Sequence, residues 1–357
     1  SDRIAVSETV EAVKQVGVPN AASFVNAILR RISKRSEYFP KPDKNTHYLE
    51  YCAMQFAHPL WMIERWSSQM SKEKFEHLLV ANNMPSHFTV KRITKNSLPG
   101  NESQFNHYFM KNYSLECSYK PLVGAFGIES AFNFTDCAAY KSGCYIVQNE
   151  SQQLCTNLIQ FDETDTLLDV HPSPGSSSIF LWDKGLKPEQ LTVCDDSSKR
   201  IKMIEANFER VGLSGSTVLK GNVLELCNNK TFSRILFHAP SSALGSIRKH
   251  PEIKWHSTQK SIEQCAQKQK NLLIGLASLL LPHGELVYIA DSFEPEETTK
   301  QIDQFLIEFP QFEKINIASR VHDYYRKYVT KQNELIVYGG NPDNLEGIFA
   351  VVLRKKT

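Results

Sequence analysis

No G-x-G-x-x-G occurs anywhere in the 357 residues, which argues against a dinucleotide-binding dehydrogenase. No run of about eighteen apolar residues occurs either, so no membrane span is expected. The eight cysteines (52, 117, 137, 144, 155, 194, 227 and 265) include no C-x-x-C pair and no regular spacing. That argues against a zinc or other metal site and for reduced thiols in a cytosolic-type compartment, so the protein is expected to be cytoplasmic. Net charge is scarce too: +2 is too little to imply nucleic acid, and local clusters must carry any such argument. No signal peptide, internal repeat or low-complexity segment is visible. The chain opens inside a helical pattern, Val6 to Val16, so a natural N-terminus ahead of it is expected to be missing, along with any targeting segment.

What is present suffices for a sizeable core: 41% hydrophobic and 22% charged residues, in a length that suits roughly two or three domains. The first helix breaks at Gly17-Val18-Pro19. Asn20 is placed to cap a second, Ala21 to Arg35, with Phe24, Val25, Ile28, Leu29 and Ile32 on one face. Arg30, Arg31, Lys34 and Arg35 cluster at its end, either compensating the helix dipole or contacting phosphate. Residues 37–50 are a polar linker, and Leu49 to Asn83 is helical. From His87 to about Gly143 short strands (88–93, 115–119, 132–134) and a helix make a small α+β subdomain, with Lys91, Arg92 and Lys95 as a second basic spot.

From Cys144 the pattern is α/β. Strands are expected at 167–170, 191–194, 217–219, 235–237, 285–289, 334–338 and 348–353, with helices between the first five, including 198–211 and 257–281. Alternating strand and helix means a mostly parallel, doubly wound sheet. The last two strands are expected to form an antiparallel hairpin at its edge. The domains are expected at 1–40, 41–143 and 144–357.

Four stretches can carry chemistry. Asp169-Val-His171-Pro172-Ser173-Pro174-Gly175-Ser176-Ser177 ends a strand in a loop whose backbone N–H groups can receive a nucleotide-like ligand. Asp195, at the end of the second strand, falls where a ribose-binding carboxylate sits, with a helix cap as the plain alternative. Asn222, after the third, is placed to meet an adenine or simply to make a turn. His238-Ala-Pro-Ser241 ends the fourth strand and runs into the basic, aromatic stretch Arg248-Lys249-His250-Pro-Glu-Ile-Lys254-Trp255. This order suggests a methyltransferase-type Rossmann domain.

Longer motifs sharpen this. Tyr145-Ile-Val-Gln148-Asn149-Glu-Ser151, Ala239-Pro240-Ser241 with Gly245-x-Ile247-Arg248-Lys249-His250-Pro251-Glu252-Ile253-Lys254-Trp255, and Tyr288-Ile-Ala-Asp291-Ser292-Phe-Glu-Pro295-Glu296-Glu297 resemble the signature motifs of one family. It is the Sun/Fmu (RsmB) type of small-subunit rRNA cytosine-5 methyltransferase, and the resemblance covers nearly the whole chain. It implies a class I methyltransferase (Rossmann-like) doubly wound sheet. Ahead of that come a small α+β subdomain and part of an all-α NusB-like RNA-binding domain. It also implies S-adenosylmethionine as cofactor, at His171 to Ser177, Asp195, Asn222 and His238, and RNA, ribosomal in particular, as partner. RNA contacts would come from Arg30, Arg31, Lys91, Arg92, Arg248, Lys249, His250 and Lys254. A monomer is expected.

The departures from the family pattern fall on its chemistry. A thiolate adds to the cytosine ring and a second cysteine helps release the product; thiolates suit this because they are soft and ionise near neutral pH. Asp291 holds the nucleophile position and Ser241 the second cysteine position. His238 replaces an aspartate, Asn222 another, and Ser176 and Ser177 replace the loop's second glycine and its lysine. The lost glycine is expected to restrict φ where backbone approaches the ligand. Cys194 and Cys265 sit away from the required position and read as small core residues. Exocyclic amino methylation would need an Asp/Asn-Pro-Pro-aromatic motif, which His238-Ala-Pro-Ser is not. The expectation is therefore a catalytically impaired or inactive family member that binds RNA or assists ribosome assembly. The rival is an active S-adenosylmethionine-dependent rRNA methyltransferase with a rearranged site.

Overall fold

The computed structural model describes residues 2–34, 41–96, 102–122, 124–128 and 133–356. Arg35, the first part of the 37–50 linker and Phe132 lie outside the described residues. By compactness the chain divides into residues 1–68 and 69–357. The first unit is helical: Asp2–Gln15, Ala22–Lys34, Tyr48–Gln55, and Leu60–Gln69 at its end. Gly17, at φ 84°, ends the first helix. Asn20 lies inside a short 3-10 turn, Pro19–Ala21, instead of capping the second. On that second helix Phe24, Ile28 and Ile32 are exposed, as are Arg30 and Arg31, whereas Met62, Ile63 and Trp66 are fully buried.

The second unit begins with the helix Lys72–Ala81, capped by Ser71, and carries two sheets. The small one is antiparallel, of strands β1 (Phe88–Arg92), β2 (Cys117–Tyr119), β3 (Ala125–Ile128) and β4 (Tyr145–Val147), in the order β2-β3-β1-β4. Phe105 and Phe109, from the helix Glu102–Tyr113, pack with Phe126 and Tyr145 in its aromatic core. β4 pairs with β1, so the stretch expected to open the α/β domain completes this sheet instead. Of the strand expected at 132–134, Phe134 instead opens a 3-10 turn, Phe134–Asp136.

The large sheet contains β5 (Leu167–Val170), β6 (Leu191–Asp195), β7 (Thr217–Lys220), β8 (Phe232–His238), β9 (Leu280–Ala290), β10 (Phe312–Lys314), β11 (Glu334–Val337) and β12 (Ile348–Lys355). Its order is β10-β12-β9-β8-β5-β6-β7, with β11 also on β12. β7, β6, β5, β8 and β9 are parallel, each pair joined through helices. Strand alternation puts Leu236, Val287, Ala350 and Val352 in one core and Phe237, Tyr288, Val351 and Leu353 in another, so both faces are covered. β11 and β12 do form an antiparallel hairpin. β12, however, is not at the edge: it lies between β9 and the short β10, because its all-buried apolar run needs partners on both sides.

Two glycines fix the loop after β8. Gly245 N–H donates to Asp291 O, and Gly347 N–H donates to Gly245 O. A Cβ on Gly245 would stand 2.1 Å from Gly347 O, so this backbone crossing admits no side chain.

One buried acid makes the fold pH-sensitive. Glu150 opens the helix Glu150–Thr156; Tyr325 Oη–H donates to it, and Lys120 Nζ stands 4.0 Å away. Burial raises its carboxyl from the usual 4.5 to about 7, with Lys120 opposing. A carboxyl raised on folding favours the folded state most at low pH, and that contribution is lost as pH climbs from 4.5 to about 7. Urea melts at pH 5 and pH 8 should show wild type losing on the order of 2 kcal/mol relative to Glu150→Gln. An unchanged difference would contradict the assignment.

Candidate active-site cleft

The strand order reverses between β5 and β8, the place where a doubly wound sheet opens a crevice at its carboxyl edge. A cleft of about 900 Å³ lies there, lined among others by Gln152, His171, Ser177, His238, Lys249 and Asp291.

The loop after β5 turns through two left-handed residues, His171 (φ 57°) and Gly175 (φ 94°). A Cβ at Gly175 would approach Phe208 Cε1 to 3.0 Å, so glycine is required there on two counts. Ser176 and Ser177 follow as the first residues of the helix Ser176–Asp183 and need no positive φ. The restriction expected from losing a glycine at 176 is therefore absent. Asn207 Nδ2 holds the loop through Pro174 O at 3.0 Å. Pro172 is buried, Ser173 and Pro174 half-buried, and His171 faces the cleft with its pKa lowered by burial, against the pull of Asp195 and Asp196.

Beneath this loop lies Asp169, fully buried on β5. Ser177 Oγ (2.9 Å) and Ser178 Oγ (2.6 Å) donate to its Oδ2. His238 Nε2, at the end of β8, stands 3.2 Å from Ser177 Oγ and 3.3 Å from Asp169 Oδ1. Ser177 has given its hydrogen to Asp169, so both neighbours of Nε2 are acceptors; the network assigns the imidazole hydrogen to Nε2. His238 Nε2–H donates to Ser177 Oγ, and Asp169 Oδ1, though 3.3 Å from Nε2, takes no hydrogen bond. Ser177 and His238, read separately in the sequence, thus meet on one carboxylate.

The adenosine side of the expected cofactor site is engaged with the protein itself. Asp195 is fully buried; Arg200 Nε donates to both its oxygens (2.8 and 2.9 Å) and Ser197 N–H adds a third bond. Asn222 caps the short helix Val223–Leu226 through Leu224 N–H and donates to Glu225. Neither residue is among those lining the cleft. The loop frame at His171–Ser177 thus fits S-adenosylmethionine, whereas the polar groups at Asp195, Asn222 and His238 are already bonded elsewhere.

At the reacting end, Asp291 stands half-buried after β9 and accepts from Gln152 Nε2 at 2.6 Å. Burial raises its carboxyl above the ordinary carboxylate range, against the pull of Lys249 and His238. Ser241 is half-buried and off the cleft wall; its Oγ accepts from Ala243 N–H at 3.3 Å, and among the described residues no carboxylate or imidazole is hydrogen-bonded to it. The neighbouring Ser242 and Ser292 instead both donate to the buried Glu297, which ties the loops after β8 and β9 together. Among the described residues no cysteine lines the cleft. Burial raises the thiols of Cys155, Cys194 (to about 12) and Cys265, so none supplies a ready thiolate.

The basic residues divide, and three expectations need correction. Lys91 is buried beside Asp183 (3.4 Å), donating to Arg92 O. Arg248 is buried, donating to Asn344 and Pro85 O, 3.7 Å from Glu346. Lys254 is buried and donates to Asn83 Oδ1 at 2.9 Å. These cations hold loops together because a buried charge must be answered by partners. Arg92 and Lys249 are half-buried, Lys249 on the cleft wall, and His250 is exposed at its rim. Gln152, Asp169 and Glu297 were not singled out from the sequence. All three lie inside or beside quoted motifs, at positions where only the fold reveals what they touch.

Comparisons with known proteins agree with this architecture. A family model described as 16S rRNA methyltransferase RsmB/F matches residues 156–354, and a NusB family model matches residues 1–34. The ribosomal RNA small subunit methyltransferase B of Salmonella arizonae is 28% identical over 313 residues, covering 86% of this chain and 69% of that protein. The probable methyltransferase B of Coxiella burnetii is 29% identical over 311 residues, covering 84% and 69%. Among solved structures, PH0851 has a TM-score of 0.82 at 21% identity, covering 97% of this chain and 75% of the other. NSun6 from Pyrococcus horikoshii with SFG has 0.69 at 15%, covering 82% and 97%. The large sheet is thus a Rossmann-like methyltransferase fold, and the chain belongs to the 16S rRNA methyltransferase RsmB/F family, a family whose cofactor is S-adenosylmethionine.

Proposed function

We propose that this chain is a catalytically impaired member of its family that binds ribosomal RNA and serves as an RNA-binding or ribosome-assembly factor. The observation that carries the reading is the reacting end of the cleft: a half-buried Asp291 bound to Gln152 where the family places its nucleophilic thiol, with no cysteine on the walls among the described residues. A carboxylate is a hard, weak nucleophile toward a pyrimidine carbon. Ser241 has no base to activate it. RNA as partner follows from the printed function of the relatives, and a monomeric, cytoplasmic protein belongs to the same proposal. The rival reading, an active methyltransferase with a rearranged site, draws on the retained Gly175 turn and the open cleft.

The cofactor side fits the same reading. Position 177 is lysine and position 238 aspartate in the family pattern; here they are serine and histidine, joined through Asp169. We read the two substitutions as one coupled exchange. The donors that Asp169 needs come from two hydroxyls, one of which His238 in turn supports.

Two measurements follow. Incubated with S-adenosylmethionine carrying a labelled methyl group and small-subunit rRNA, the purified chain should transfer no label. Transfer that Asp291→Ala abolishes would overturn the proposal. In a double-mutant stability cycle, His238→Asp alone should destabilise, since it sets a second carboxylate against Asp169. Ser177→Lys with His238→Asp should recover about 1.5 kcal/mol or more beyond additivity; strict additivity would refute the exchange.

A further inference from the structure

The loop that leaves the cleft, residues 248–260, treats its side chains in two opposite ways. Arg248 and Lys254, both cations, are buried and fastened to Asn344, Pro85 and Asn83. Ile247 is fully buried ahead of them. Trp255, on the four-residue helix Ile253–His256 that Lys254 anchors, is 63% exposed. It is the one exposed tryptophan of the four: Trp66 and Trp182 are buried and Trp61 is half-buried. A large apolar ring held in water by a firmly anchored turn gains nothing for the fold.

Its surroundings indicate what would cover it. His250, His256 and Lys260 are exposed along the same stretch, with Glu252 as the acid among them, 3.4 Å from His250. His250 also lines the cleft rim, next to Lys249. An exposed ring flanked by donors and cations suits a nucleobase stacked on its face and a phosphate beside it. A duplex keeps its bases stacked inside and offers no face to the ring. We infer that Trp255 is a stacking platform for an unpaired RNA nucleotide at the approach to the cleft.

This inference rests on the RNA-binding reading above. The test titrates the whole chain with a single-stranded RNA of about twelve nucleotides and with a perfect hairpin duplex of matching length, following tryptophan fluorescence and affinity at one salt concentration. Single-stranded RNA should quench the wild-type emission. Trp255→Ala should bind about tenfold more weakly, about 1.4 kcal/mol, with its melting temperature unchanged, and Trp255→Phe should keep most of the affinity. If wild type binds RNA and Trp255→Ala binds equally well, the platform is wrong and the RNA-binding reading stands. If the duplex binds as tightly as the single strand and loses as much in Trp255→Ala, the unpaired target is wrong. If wild type binds no RNA, both readings fall.

Discussion

A carboxylate shut away from water must be answered by donors, and Asp169 sets this requirement at the centre of the second unit. It sits on β5, between β6 and β8, where the strand order reverses. Ser177 and Ser178 answer it from the start of the following helix, and His238, at the end of β8, donates to Ser177 in turn. These bonds join the loop expected to cradle a cofactor to the strand expected to present reactive groups. The same atoms cannot also serve a ligand without breaking that network.

Around this point the frame of a methyltransferase is kept. Gly245 and Gly347 cross with no room for a Cβ, so the loop after β8 is pinned to the sheet next to Asp291. Glu297 collects the hydroxyls of Ser242 and Ser292 and holds the two loops that would carry the family's thiols. What differs is chemical. The soft nucleophile has become a half-buried acid, and burial raises the thiols of Cys155 and Cys194 in the core. On the proposed reading, frame and reactivity have separated, which is how a fold can persist while the site it carries changes its use.

Much of this was legible in the sequence because it depends on periodicity and on motif order. The parallel strands, the reversal and the cleft follow from alternating strand and helix patterns. β12 was misplaced because a hairpin signal gives one partner, whereas an all-buried strand takes two. The basic residues misled for a different reason: a sequence displays charge without burial. Lys91, Arg248 and Lys254 look like phosphate contacts until Asp183, Glu346 and Asn83 appear beside them. Conversely, Asp169 and Glu297 were in plain view, but their importance is a matter of which hydroxyls the fold brings to them.

Asp195, Asn222 and His238 are held by protein partners and so are not offered to a cofactor. Isothermal titration of the whole chain with S-adenosylmethionine tests this most directly. The account predicts no binding tighter than about 1 mM, at most about −4 kcal/mol. Micromolar binding would show that Asp195, Asn222 and His238 release their present partners readily, and would contradict it.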